Sequence, residues 1–168
     1  MSKLSRAGEG GLLVQLLDEA YQRRSWHGTN LRGSIRGVSA EQAAWRPHQA
    51  RYSIAEIVVH CAYWKYAVRR RLRGDKRGSF ALKGSNWFSL PAPLTETAWR
   101  EYVARLDAEH RALREAVAAL GDALPDKPIR GSKMPAAALI RGVALHDVYH
   151  AGQIQLMKGM RKRDLSTD

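Results

Sequence analysis

Apolar residues recur at helical intervals along most of this chain, and no segment reads convincingly as a strand. Between residues 10 and 24, Leu13, Leu16, Leu17 and Ala20 share one face. Gly28 disturbs that helix, and residues 30–36 resume it. Ser39, with Gln42 three residues on, has the form of a capping box, and Pro47 closes the turn it opens. Ser53 and Glu56 repeat that signature at the head of a helix expected to reach about Arg73, with Ile54, Ile57, Cys61, Trp64 and Val68 as its seam. Residues 74–94 form a Gly-, Ser- and Pro-rich loop broken by Trp87-Phe88, and a loop of that length in a compact domain often has a use. Thr95 starts a third helix ending near Gly121, with the seam Val103, Leu106, His110, Leu113, Val117 and Leu120. After a proline-containing connection, Pro135 suits the first turn of a fourth helix ending near Lys158. Its seam is Leu139, Val143, His146, His150, Gln153 and Met157.

Four long helices without strands predict an all-α fold of the four-helix-bundle kind. No repeat or linker divides the chain, so one domain is expected over residues 1–168, with its core at about 10–158 and a basic tail at 159–168. The composition, 45% hydrophobic and 26% charged, argues against disorder. No apolar run is long enough for a membrane span. Lys3 and Arg6 precede Leu12-Leu13-Val14, but Gln15, Asp18 and Glu19 spoil a signal-peptide reading. The single cysteine, Cys61, excludes an intrachain disulfide framework and a Cys-only metal site. A cytoplasmic protein is the expectation.

The formal net charge of +12 changes the range of partners. The cations gather in 69–77 and 158–163. They are read first as solvated helix ends that complement the helix dipole, and second as phosphate or nucleic-acid contacts.

The histidines carry the chemical signal. His146 and His150 are spaced i, i+4, which stacks two imidazoles on one helix face. Neutral imidazoles at that spacing suit two ligands of one transition metal, although structural histidines also occur so. Both lie on the apolar seam, where unpartnered rings would each cost about 1–3 kcal/mol and a shared metal would remove that cost. His60 sits mid-helix on another apolar segment, and a facing helix can supply a third ligand. Three histidines leave a coordination position open for water or substrate.

Other residues carry two readings each. Gln153, one turn after His150, can accept a ligand's second N–H or touch substrate, or it is simply polar at the bundle mouth. Glu56 is a helix cap first and a general base near the metal second. Asp147 points about 100° away from His146 and is expected first to be exposed or to pair with another helix, and second to support a metal ligand or touch substrate. His110 is a buried structural histidine, or a fourth ligand or acid/base. His27, beside Trp26, is structural or faces the site, and His48 is expected to be exposed. Cys61 reads as a small buried hydrophobe rather than a catalytic thiol. Trp45, Trp64, Trp87 and Trp99 are expected in the core. Trp64 could also wall a pocket, and Trp87-Phe88 could lid it or plug the bundle end.

Four segments resemble the DinB/YfiT-like proteins, a family regarded as metal-dependent enzymes. They are Trp26-His27-Gly28, Ala43-Ala44-Trp45-Arg46-Pro47, Ser53 to His60 with Trp64 after it, and His146-Asp147-Val148-Tyr149-His150-Ala151-Gly152-Gln153-Ile154. The resemblance runs from about residue 10 to 158. Its most specific part is the lone helix-two histidine followed far along the chain by H-x-x-x-H-x-G-Q. It implies a four-helix bundle with a long crossover and a divalent transition metal held by His60, His146 and His150. Zn or Ni comes first for that metal, then Mn or Fe. It also implies thiol-dependent transfer, with a low-molecular-weight thiol, to a small-molecule substrate. Metal-assisted hydrolysis comes next, and Gln153, Glu56 and His110 are the catalytic candidates. Self-association as a homodimer is a further implication. The rival expectation is a non-catalytic stress-response or basic nucleic-acid-binding module whose metal is structural.

Overall fold

The computed structural model describes residues 8–47, 52–76, 78, 80–122, 124, 126–164 and 166. Lys3, Arg6, His48 and Arg77 lie outside the described residues. Among those described there are six helices and no strand, so the fold is all-α. They are α1 (Glu9–Tyr21), α2 (Leu31–Ser34), α3 (Ala40–Ala44), α4 (Ile54–Leu72), α5 (Glu96–Leu120) and α6 (Ala136–Asp164). No described helix is long and apolar enough to cross a membrane.

Local chemistry sets the helix ends. Ser39 and Gln42 form a full capping box on α3, and Ser53 and Glu56 form another on α4. Thr95 accepts a hydrogen bond from the Ala98 N–H to cap α5. Gly121 ends that helix at a φ of 60°, a conformation a side chain would strain. The α6 helix continues to Asp164 instead of stopping near Lys158. Two anchors hold this last stretch: Lys158 Nζ donates to the Ser34 carbonyl, and Arg161 donates to Glu41. Residues 159–164 are therefore helix rather than tail.

The four long helices pack in a closed ring, α1 on α5, α5 on α4, α4 on α6 and α6 on α1. Consequently α1 and α4 occupy opposite corners, and so do α5 and α6. The connection through α2 and α3 crosses between corners, with α2 packed on α6 and α3 on α4 and α5. Trp99 Nε1 donates to the Val38 carbonyl, and the Ala40 N–H donates to Glu96, which fastens this connection to the head of α5.

Two apolar clusters fill the interior. One joins Leu13, Leu17, Val68, Leu113, Val117 and Ile140. The other joins Ile57, Val58, Phe88, Trp99, Leu106 and Ile154. Between them, along each long helix, lies a polar residue that faces inward. Lys65 on α4 and Asp147 on α6 are fully buried and form an ion pair. Lys65 Nζ also lies 4.8 Å from the Tyr21 ring centre, a cation–π contact. Tyr21 on α1 donates its hydroxyl to Asp107 and stacks on His110 of α5. Asp18, buried on α1, accepts two bonds from Arg114. A polar layer thus divides the core. Asp147 belongs to it, which settles its pairing role and rules out an exposed one.

Candidate metal centre

The ring arrangement sets α4 beside α6, and this brings His60 against His146 and His150. The Nε2 atoms of His60 and His146 are 2.9 Å apart, and those of His146 and His150 are 3.1 Å apart. All three rings offer a nitrogen within a 4.8 Å group, an arrangement that could hold a metal ion. Two nitrogens about 2.1 Å from one ion stand about 3.0 Å apart at right angles and about 3.4 Å apart at the tetrahedral angle, so the two close spacings lie near those of ligands sharing one ion.

The outward nitrogens decide the protonation of the inward ones. His60 Nδ1 donates to the Asn86 carbonyl at 2.7 Å, so its Nε2 presents a lone pair when the ring is neutral. His150 Nδ1 donates to Gln153 Oε1 at 2.7 Å, so its Nε2 does the same. Both lone pairs face His146 Nε2, which carries at most one proton. His146 Nδ1 is buried without a partner. The protein therefore aims more acceptors than donors at this point, the donor set a cation requires.

Burial keeps the rings neutral. It lowers His146 to about 3, with His150, His60 and Lys65 adding repulsion. It lowers His150 to about 4, where repulsion from His60 adds to burial and the Gln153 hydrogen bond opposes it. His60 is also lowered by burial, against its bond to Asn86. Neutral imidazole is the form that binds metals.

The long loop after α4 builds one wall. Asn86 has a φ of 64°, which asparagine tolerates better than most side chains. That turn directs its carbonyl to His60 while its side chain accepts from Trp64 Nε1 at 3.0 Å. Trp87 then lies flat on His60, ring centres 3.8 Å apart, and Tyr52 stacks on the far face of Trp87. Phe88 instead enters the apolar core. The loop therefore both covers the histidines and plugs the bundle. Trp64 stands edge-on to His60 and His146, and Gln153 is itself held by donating to the Tyr149 hydroxyl.

Cys61, His146 and Asp147 form a second potential ligand group that shares His146. It is the poorer donor set. Burial and the Asp147 carboxylate hold the Cys61 thiol well above its ordinary range, so it stays protonated. Asp147 is already committed to Lys65.

The remaining sequence candidates lie elsewhere. Glu56 spends its carboxylate on the Ser53 cap and on Arg46 at 2.7 Å. His110 sits in the polar layer, buried against Tyr21 and 3.9 Å from Asp18. His27 is exposed in the turn around Ser25 and Gly28, beside a fully exposed Trp26. Asn86, Tyr52 and Tyr149 were invisible to sequence periodicity. An asparagine just before Trp87 was the one available signal, because asparagine marks positive φ.

No curated protein and no solved structure gave a match to the chain. The sequence profile of the DinB superfamily matches residues 23–154, a span that includes all three histidines, the covering loop, α4, α5 and most of α6, with α1 just before it. This chain belongs to the DinB superfamily.

Proposed function

We propose that the protein is a cytoplasmic metalloenzyme in which His60, His146 and His150 hold one divalent transition metal, Zn or Ni before Mn or Fe. The observation that carries this reading is the pair of fixed tautomers: Asn86 and Gln153 take the outer protons, and two lone pairs point at one place. A metal bound there would supply Lewis acidity, which stabilises thiolate over thiol or activates water for hydrolysis. Thiol-dependent transfer to a small-molecule substrate is the reaction class proposed first, with hydrolysis second.

The chain's own residues would position and shield the centre. Asn86 and Gln153 orient two imidazoles, and such outer partners commonly govern affinity by about 10–100-fold. Trp87, backed by Tyr52, keeps water from one face of His60. Three protein ligands leave room for a substrate atom, which a closed structural site does not. The nucleic-acid alternative draws less support, because many cations of the basic segments serve the fold. Arg69 binds Glu109, Arg71 donates to two backbone carbonyls, and Lys158 and Arg161 anchor α6.

The test is elemental mass spectrometry on untagged wild type and His146→Ala. The expected result is close to one transition-metal ion per chain in wild type and almost none in the variant. Metal-free wild type that also refuses Zn, Ni and Mn on reconstitution would remove the reading. Positive occupancy would be followed by thiol-transfer and hydrolysis assays with the metal found.

A further inference from the structure

The other side of the covering loop lines a separate cavity. Its volume is about 710 Å³, and its walls come from the second half of α4, Gly78, Phe80, residues 82–85 and Gly131. None of its lining residues is a triad histidine, and none is a carboxylate. Tyr63, Tyr66, Phe80 and Leu82 give it an aromatic and aliphatic wall, whereas Arg70, Arg71 and Lys83 give it three cations.

The cations are only partly used by the protein. Arg70 donates one bond, to the Asp75 carbonyl. Arg71 donates from Nε to the Gly131 carbonyl and from Nη1 to the Ala67 carbonyl. A guanidinium carries five N–H donors, so each retains donors beyond these. Carbonyl partners hold a guanidinium in place without cancelling its charge. Lys83 has no ion-pair partner among the described residues. Its neighbour on the wall, Tyr66, has a buried hydroxyl without a hydrogen-bond partner. By contrast Arg69, one residue before the cavity-lining pair, is neutralised by Glu109.

Three cations without a carboxylate partner among the described residues, beside an aromatic and aliphatic wall, select a particular ligand chemistry. An inorganic ion would leave the aromatic wall unused. A neutral ring compound would leave the positive field unused. We infer that this cavity binds a small amphipathic anion, an aromatic or short aliphatic body bearing one phosphate or carboxylate group. The apolar body lies against Tyr63, Phe80 and Leu82, and the anionic group meets Arg70, Arg71 and Lys83. The same loop then continues into Asn86 and Trp87, which contact His60, so one segment both lines this cavity and covers the histidine.

Isothermal titration of metal-free protein with phenyl phosphate at low salt tests this independently of any metal. Phenol, benzoate and inorganic phosphate are the comparison probes. The expected result is saturable one-to-one binding of phenyl phosphate, with benzoate also binding and phenol and inorganic phosphate each at least about tenfold weaker. Lys83→Gln and Arg70→Gln should each weaken phenyl phosphate about tenfold, and Lys133→Gln, an exposed control outside the cavity, should leave it unchanged. Circular dichroism melts establish that the variants fold, and Arg71 is spared because it ties α4 to Gly131. Absence of saturable binding, or equal weakening by Lys133→Gln, overturns the inference. So does equal binding of inorganic phosphate. A single-stranded oligonucleotide that binds through Arg70 and Lys83 with steep salt dependence, and without competition from phenyl phosphate, would reassign these cations to nucleic acid.

Discussion

Two groups of buried polar side chains lie next to each other in this core, and they are satisfied in opposite ways. In the layer of Lys65, Asp147, Tyr21 and Asp18, the strongly polar atoms find protein partners of opposite character: ammonium with carboxylate, hydroxyl with carboxylate, guanidinium with carboxylate. At the histidine cluster the protein satisfies the outer nitrogens of His60 and His150 and leaves the inner ones facing each other. The first group pairs its charges within itself, while Asp147 Oδ1 and the two ring nitrogens of His110 stay buried without a hydrogen-bond partner. The second is arranged so that a cation could complete it. Proximity of polar residues alone would not separate these cases, whereas the destination of each proton does. His146 and Asp147, adjacent in sequence, fall on different sides of the division.

The largest effect expected is on the closed group. Lys65→Met leaves Asp147 buried and uncompensated and should cost about 3–5 kcal/mol in urea denaturation. The double variant with Asp147→Leu should recover most of that loss, since a buried ion pair is often replaceable by apolar packing. Burial already raises Asp147 to about 6 against the pull of Lys65, which shows how strongly that site resists an isolated charge. A single variant as stable as wild type would mean the pair is not a closed unit.

A smaller effect is expected at the open group, where Asn86 acts through its backbone. Asn86→Val cannot easily hold a φ of 64° and should turn the carbonyl away from His60, weakening zinc binding by about 10–100-fold. Asn86→Gly keeps that backbone conformation and should retain most of the affinity while losing the Trp64 bond. Competition titration with a zinc chelator measures both. Equal losses in the two variants would assign the effect to the side chain and not to the carbonyl.

The smallest substitution effect is expected at His110, and acid reads it out. His110 is lowered to about 3, first by burial and then by Lys65, Arg114 and Arg111. His146 and His150 are lowered too. The unfolded chain therefore takes up protons below pH 6.5 before the folded chain does. Stability of metal-free protein is full above that pH and falls as pH drops towards 4, by up to about 1.4 kcal/mol per pH unit for each such ring. Both ring nitrogens of His110 are buried without partners, so His110→Leu should be neutral or stabilising by about 1 kcal/mol at pH 7. It should also make the acid decline shallower. A decline of unchanged slope would show that His110 binds a proton in the folded state.

Much of this was legible in the sequence where a single residue acts locally. Ser53 with Glu56, Thr95 and Gly121 mark helix ends through bonds made within one turn. The all-α class followed from periodicity, and the family from the resemblance of four segments, above all His60 and the later H-x-x-x-H-x-G-Q. Two things were not legible. The α6 seam read as Val143, His146, His150 and Met157, but the buried face also takes in Ile140, Ala144, Asp147, Ala151 and Ile154. Because α6 packs against α1, α2 and α4 together, its buried face is wide, and a one-stripe reading leaves Asp147 outside it. The loop was the other gap. Asn86 and Tyr52 reach the centre through a backbone turn and a ring stack, and neither follows a helical or strand period.

The flat stack of Trp87 on His60 gives the centre an optical handle. The indole lies 3.8 Å, ring to ring, from the imidazole of His60, one of the three proposed ligands. An open-shell ion such as Ni or Cu bound there would quench Trp87 emission by contact-range energy or electron transfer, whereas Zn would leave it emitting. Trp26, fully exposed and in a different part of the chain, supplies an internal reference that responds to solvent alone. Whether a bound ion is open- or closed-shell can thus be followed in solution by fluorescence, on the unlabelled protein.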